Sequence, residues 1–258
     1  MPDAKISALT SLTGAGAAQD DLLAIVDVST STTKKITREE FFKSVDYVSF
    51  DTTNVVATPV EGQLTWDAAE KTLSLGLNGG DVVLQIGQEM HFRVRNNTGS
   101  QINNGTVCRF AGSLGNSGIL LAAPFQANGA LDSHVIMGVA TENIPNGEDG
   151  LVTWFGKVRG INTSAFTDGQ ILYANPAVSG GLTATKPESP NNVISVAAVV
   201  SAANNGTLFV RPVIEDTFKS APATATSTGR KGDTAFDANY FYVCVATNTW
   251  KRAALSTW

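Results

Sequence analysis

Apolar and polar residues alternate in many short runs of this chain, which is the period of a β-strand. Between Leu73 and Leu77, leucines alternate with serine and glycine, so that one face of the predicted strand is apolar. Such a face suits a ribbon that packs across a symmetry axis, or the edge of a sandwich. Asn-Gly and Asp-Gly pairs recur between the runs, and both pairs favour tight hairpin turns because their residues tolerate positive φ. The pattern predicts a mainly β protein.

The central part of the chain, residues 81–216, contains most of the predicted strands. Nine runs rich in apolar and β-branched residues are separated there by turn-forming residues. These runs are residues 82–86, 90–94, 106–110, 119–122, 134–140, 150–158, 171–174, 193–200 and 207–210. We expect them to form a central antiparallel β-barrel or sandwich domain. Residues 47–80, which precede it, are interpreted as a connecting β-segment.

The first 46 residues predict a small α+β segment. Residues 21–28 form a strand-like run, and residues 34–36 can pair back on it. Thr37 and Glu40 have the spacing of a capping box, in which both side chains cap the start of a helix. The apolar face of this short helix comprises Phe41, Phe42 and Val45. Because so short a helix is unstable alone in water, we expect the segment to dock on another surface.

The end of the chain predicts a C-terminal β-hairpin at residues 233–258. Its strands run from Tyr240 to Val245 and from Trp250 to Leu255, with a polar turn between them. A pair of strands this short is only marginally stable by itself. Residues 217–232, which are small and polar, are interpreted as a linker into this hairpin.

Both ends of the chain resemble those of bacteriophage tail fibre and virion-appendage proteins, a group that includes head fibres and capsid decoration proteins. At the start, the resemblance rests on Lys-Ile-Ser-x-Leu at residues 5–9, Asp-Leu-Leu at 21–23 and Thr-Thr-Lys-Lys-Ile-Thr at 32–37. At the end, it rests on Asn-Tyr-x-Tyr-Val-Cys at 239–244, which Ala-Thr-Asn-Thr-Trp-Lys-Arg and a terminal tryptophan follow. The central strands resemble β-barrel modules of the same proteins more loosely.

This resemblance implies an elongated homotrimer located in the virion and assembled in the bacterial host. The N-terminal segment would mount it on tail, portal-proximal or capsid proteins, and a bacterial surface glycan is a further partner for the distal end. The virion-docking candidates are Ile36, Phe41, Phe42 and Val45. The candidates for a subunit interface or a distal tip are Tyr240, Tyr242, Trp250 and Trp258.

Composition argues against several classes of partner. The net charge of −5 and the pI near 5.0 speak against nucleic acid and against anionic lipid. The residues after Met1 lack the basic start and the apolar core of a secretory signal peptide. No apolar run approaches the ~18 residues of a membrane-spanning helix. Cys108 and Cys244 lie in predicted strands, and we expect both to be buried, reduced thiols that are not bridged to each other.

No sequence motif predicts catalysis, a cofactor or a metal site. His91 and His134 have no ligand-spaced neighbours, and the chain has no Walker loop, dinucleotide fingerprint or Gly-x-Ser-x-Gly elbow. Glu142, Glu148 and Asp149 form an acidic cluster, but adjacent turn residues favour a solvated loop over a glycosidase pair. The four tryptophans are interpreted as core or interface residues in preference to platforms for sugar stacking.

The sequence therefore predicts a non-enzymatic structural protein of a bacteriophage virion, a fibre-like appendage docked by its N-terminus and suited to host-surface adhesion. One alternative is a capsid decoration protein that stabilises the head shell. An alternative from a different class is a carbohydrate-active depolymerase, which would need carboxylates that converge in a groove.

Overall fold

The computed structural model describes residues 22–27, 32–37, 43, 46–52, 58–78, 82–188, 191–215 and 218–258. The chain divides into two compact units, Met1–Asp51 and Thr52–Trp258. The described residues form seventeen β-strands, β1 to β17, which confirms the prediction of a mainly β protein.

The first unit contains an antiparallel strand pair, β1 (Leu22–Asp27) and β2 (Thr32–Thr37). Leu23 lies opposite Ile36 in this pair. This agrees with the prediction that residues 34–36 pair with the strand-like run at residues 21–28. Thr37, the expected helix cap, is the last residue of β2. The predicted apolar face of the helix, at residues 41, 42 and 45, lies outside the described residues.

The remaining strands belong to the second unit. Their bounds are β3 Leu64–Asp67, β4 Thr72–Leu77, β5 Val82–Gln85, β6 Met90–Asn96, β7 Val107–Ser113, β8 Leu120–Pro124, β9 Ile136–Ala140, β10 Asp149–Ile161, β11 Ile171–Ala174, β12 Leu182–Thr183, β13 Ile194–Ser201, β14 Gly206–Ile214, β15 Thr234–Phe236, β16 Tyr240–Ala246 and β17 Thr249–Ala254. All nine strands predicted for residues 81–216 are present. The prediction missed β12, whose two residues are too few to show a period.

One predicted strand begins later than expected. His134 and Val135 belong to a 3-10 turn at Ser133–Val135 and not to β9. The side chain of Asp132 caps this turn, since its Oδ1 accepts a hydrogen bond of 3.0 Å from the backbone N–H of His134. The local cap outweighs the apolar pattern that suggested a strand there.

Five strands close into a small barrel in the order β10, β6, β8, β7 and β9, with β9 pairing again with β10. All pairs in the ring are antiparallel except β6 with β8. Closure depends on Gly138, which has a φ of 122°. A Cβ atom there would lie 2.0 Å from the carbonyl oxygen of Thr153 on β10, so only glycine allows the two strands to approach.

The thirteen-residue strand β10 extends beyond the barrel and joins it to a second layer. Its C-terminal half pairs with β14, which continues through β13 and β11 to β12. One apolar cluster, which includes Val94, Ile144 and Val152, belongs to barrel strands and their loops. A larger cluster, which includes Phe125 and Leu208, contains residues of both the barrel and the extension.

A three-stranded sheet of β3, β4 and β5 forms another part of the second unit. The residues Thr65, Ser74 and Gln85 lie side by side across it and are all buried. The neighbouring row, Leu64, Leu75 and Leu84, is partly exposed, with Leu64 41% exposed. The sheet therefore turns polar side chains inward and leucines outward, which reverses the usual arrangement.

The C-terminal sheet confirms the predicted hairpin and adds one strand. β16 and β17 pair as expected, and β15 joins β16 at the other edge. Its small core contains Ala235, Tyr242, Cys244 and Trp250. The indole Nε1 of Trp250 donates a hydrogen bond of 3.1 Å to the carbonyl oxygen of Ser227, so part of residues 217–232 packs on this sheet.

Candidate functional site: a polar cleft of the second unit

A cleft of about 620 Å³ lies between the inward face of the β3–β5 sheet and the barrel side of the unit. Its lining is mostly polar and includes three carboxylates and two cations. The charged residues of the lining are Asp67, Glu70, Glu142, Lys157 and Arg159. The uncharged polar residues of the lining are Thr58, Thr65, Ser74, Gln85, Asn104, Thr141 and Asn143.

The turn between β3 and β4 positions Asp67. Its Oδ1 accepts hydrogen bonds of 2.9 Å from the backbone N–H groups of Ala69 and Glu70, and its Oδ2 accepts one of 3.3 Å from the Ser74 hydroxyl. The bond from the Glu70 N–H is the main reason that the pKa of Asp67 lies below its usual range. Asp67 is therefore a fixed anion, which suits it to accept hydrogen bonds but makes it a weak base and unsuited to act as an acid.

Glu89 lies behind the lining of the cleft and is not part of it. Its side chain is only 2% exposed. Its carboxylate accepts hydrogen bonds from the backbone N–H of Gln85 at 3.1 Å, from the backbone N–H of Lys157 at 3.2 Å and from the Arg159 guanidinium at 3.1 Å. It thus connects the end of the β3–β5 sheet to β10. These three hydrogen bonds, of which the one from Arg159 is also an ion pair, compensate for the burial of this charge.

Glycine at position 156 makes room for Glu89. Gly156 has a φ of 127°, and a Cβ atom there would lie 2.5 Å from the Cγ of Glu89. Both its conformation and its close approach to Glu89 therefore exclude larger residues.

Glu70 pairs with the two cations of β10. Its Oε1 lies 2.5 Å from Lys157 Nζ and 3.5 Å from a guanidinium nitrogen of Arg159. Arg159 also donates a hydrogen bond of 3.1 Å to the side-chain oxygen of Gln85. The Arg159 guanidinium on β10 therefore bridges Glu70 in the β3–β4 turn and Glu89 between β5 and β6.

The opposite wall of the cleft presents amides and a third carboxylate. The Oδ1 of Asn143 accepts a hydrogen bond of 2.9 Å from the backbone N–H of Asn104, whose own amide donates to the carbonyl oxygen of Arg159. Glu142 accepts from the N–H of Leu151 at 2.8 Å and from the side chain of Asn78. The Oδ1 of Asn104 is buried and has no hydrogen-bond partner.

His91 lies beside this network but is not a catalytic base. Its Nδ1 lies 3.0 Å from the Thr153 hydroxyl, and its Nε2 lies 3.7 Å from Glu89 and has no hydrogen-bond partner. Burial is the main reason that the pKa of His91 lies below its usual value. Because Thr153 is fully buried, no substrate can reach this hydroxyl, and the three side chains do not form a nucleophilic triad.

The geometry restricts the chemistry to a few accessible groups. Glycoside hydrolysis needs two carboxyl groups about 5–9.5 Å apart that both reach the sugar. Glu89 is sealed off, so the carboxylates available to a ligand are those that line the cleft, namely Asp67, Glu70 and Glu142. Among the residues that the structure describes, no group of three His, Cys, Asp or Glu side chains could hold a metal ion.

The acidic cluster predicted as a solvated loop separates in the structure. Glu142 lines the cleft, whereas Asp149 on β10 pairs with Arg93 and Arg95 of β6. The hydrogen bond from Arg95 is the main reason that the pKa of Asp149 lies below its usual range. The cysteines at positions 108 and 244 are both free and buried.

The other candidate residues lie away from the cleft. Tyr242 and Trp250 are 8% and 7% exposed within the small C-terminal core, Tyr240 is half-buried, and Trp258 is fully exposed. Ile36 is half-buried in β2. Their roles in docking or at a tip stay predictions.

Sequence reasoning missed the residues that organise the cleft. Lys157 and Arg159 are the detectable signal, since one cation lies in the predicted strand 150–158 and the other directly follows it, and cations in a partly buried strand require partners. Their partners are distant in sequence. Glu70 lies 87 residues from Lys157, and Glu89 lies 70 residues from Arg159. No local motif connects them.

Comparison with known proteins finds similarity over short stretches of the chain. No family model matches it. The curated proteins that it resembles are phage capsule depolymerases, and this similarity supports a phage virion appendage. One is "Depolymerase 1, capsule K30/K69-specific" of Klebsiella phage K5-2, 51% identical over 53 residues, which are 20% of this chain and 6% of that protein. Another is "Depolymerase, capsule K30/K69-specific" of Klebsiella phage K64-1, 56% identical over 39 residues, which are 15% of this chain and 5% of that protein.

These matches correct the prediction of a non-enzymatic protein. Both relatives are named as depolymerases, which are enzymes, so the prediction is contradicted and the depolymerase alternative is favoured. The chain spans only about one-twentieth of the length of these relatives. No helix among the described residues is long and apolar enough to cross a membrane.

Proposed function

We propose that this chain is a carbohydrate-active protein of a phage tail appendage, which binds a bacterial capsular polysaccharide and cleaves it. The observation that carries the proposal is its identity of more than half, over short stretches, to two capsule-specific depolymerases. The polar cleft supports it, because its lining includes three carboxylates, the groups that glycoside hydrolysis uses.

The test is to incubate the purified chain with capsular polysaccharide from Klebsiella strains of types K30 and K69. Cleavage would appear as new reducing ends and as a shift of the polymer to smaller size on gel filtration. Polysaccharide from an unrelated capsule type is the matched control. The proposal fails if neither K30 nor K69 polysaccharide is bound or shortened.

We further propose that the first unit mounts the protein on the virion. The support is the division of the chain, since Met1–Asp51 forms a compact unit of its own that contains the β1–β2 strand pair. Removal of residues 1–51 should abolish incorporation into particles without loss of polysaccharide binding. Incorporation of the truncated protein at normal copy number would refute this role.

A homotrimer remains part of this proposal. The support is the low charged fraction of 16% and the partly exposed leucine row of the β3–β5 sheet, which self-association would cover. Light scattering should give about three chain masses, and a clean monomer at micromolar concentration would refute a trimer.

A further inference from the structure

We propose that the polar cleft is a saccharide-binding site that recognises an uncharged, hydroxyl-rich stretch of a glycan. This inference rests on the proposed function and adds a site and a ligand class to it. It follows from the inverted polarity of the β3–β5 sheet, the donors and acceptors of the cleft, and the pairing of its charges.

Folding stability does not explain why the β3–β5 sheet is oriented as it is. The buried row Thr65, Ser74 and Gln85 gains little from removal from water, whereas the leucine row on the other face remains partly exposed. The reverse orientation would bury the leucines and gain the hydrophobic contribution. A sheet that gives up this hydrophobic contribution is expected where its inward polar face binds a polar ligand.

The cleft offers the groups that bind sugar hydroxyls. Each hydroxyl donates one hydrogen bond and accepts others, so it pairs with both carboxylates and amides. Asp67 provides a fixed acceptor, and Asn104 and Asn143 add amides on the opposite wall.

The charges of the cleft argue against a ligand that is recognised by its carboxylate. Lys157 pairs with Glu70, and Arg159 pairs with both Glu70 and Glu89. An acidic sugar would have to displace Glu70 from these cations and would also approach Asp67. Uncharged hydroxyls meet neither obstacle. The volume of about 620 Å³ lies within the usual range of ligand sites, roughly 300–1,000 Å³.

The experiment measures binding of K30 and K69 capsular polysaccharides by calorimetry, each in its native form and after chemical reduction of its carboxyl groups to alcohols. Recognition through hydroxyls predicts that reduction changes the Kd by less than about 2-fold, and that raising NaCl from 50 to 500 mM has a similarly small effect, since only charge pairs are screened. A loss of more than 10-fold in either comparison would overturn the assignment to an uncharged ligand.

Variants test whether the cleft is the site. We expect Asp67→Asn and Lys157→Met to weaken binding at least 10-fold. The matched controls are Glu215→Gln and Lys186→Met, which remove a similar ion pair of 2.5 Å outside the cleft and should leave the Kd within 2-fold. Thermal melting identifies any cleft variant that fails to fold. In that case Asn143→Ala takes its place in the binding measurement.

The outcomes separate the two proposals. If the polysaccharides bind and the cleft variants bind as well as the controls, the cleft assignment is wrong while the proposed function stands. If no capsular polysaccharide binds to the unaltered protein, the proposed function fails, and the cleft assignment fails with it.

Discussion

Glu89 is the residue whose removal should most clearly reveal how the cleft is held together. Its carboxylate accepts hydrogen bonds from two backbone N–H groups, those of Gln85 and Lys157, and pairs with Arg159. In Glu89→Ala, both N–H groups lose their partner in a region from which water is largely excluded. Each buried donor left unsatisfied costs about 1–3 kcal/mol.

The ion pair adds little to this loss. The Arg159 side chain is 41% exposed and keeps Glu70 and Gln85 as partners, so solvent and these neighbours compensate for most of it. The expected destabilisation is therefore about 2–6 kcal/mol. For a unit of the length of Thr52–Trp258, this corresponds to a fall in Tm of about 4–24 °C.

Differential scanning calorimetry of three variants would measure this effect. Glu89→Gln keeps the volume and one carbonyl acceptor, so its Tm should fall between those of Glu89→Ala and the unaltered protein. The exposed Glu188→Ala serves as the control and should leave the Tm within about 1 °C. A fall of less than about 2 °C in Glu89→Ala would refute the view that this carboxylate links the β3–β5 sheet to β10.

Three further predictions concern the same unit. Burial lowers the folded-state pKa of His91 below 6.5, so between the two pKa values the unfolded chain binds a proton that the folded chain does not. The stability present above pH 6.5 is therefore lost as the pH falls toward the folded pKa. His91→Gln should reduce the fall in urea midpoint between pH 7.5 and 5.5, whereas His134→Gln, at an exposed position, should not. Gly156→Ala should lower the Tm, through strained φ and a clash with Glu89, without reducing the fraction of β-structure seen by circular dichroism. Burial raises the pKa of the Cys108 thiol to about 12, so this thiol should resist a disulfide reagent at pH 8 until the protein is denatured, and rapid labelling in the native state would contradict its burial.

The failed prediction about enzymatic function has a structural explanation. A sequence motif indicates catalysis only where the functional residues lie close together along the chain. The cleft instead combines the β3–β4 turn, the segment between β9 and β10, and alternate positions of β10. Carboxylates gathered from such distant segments leave no local signature, so the lack of a motif was not evidence against catalysis.

The sequence by itself determined the secondary structure of this protein. Alternation of apolar residues and the recurring turn pairs specify most strands of the second unit and the β16–β17 hairpin, because these signals act over only two to ten residues. The mainly β class follows from them directly.

Only the tertiary structure decided how these strands are used. Period-2 alternation shows that a strand has two different faces, but it does not say which face is buried, and β4 buries Ser74 where the pattern favours Leu75. The barrel closes through the approach of Gly138 to Thr153, and the cleft forms where Arg159 joins Glu70 and Glu89. These contacts are long-range, and their energies depend on distances that no local pattern contains.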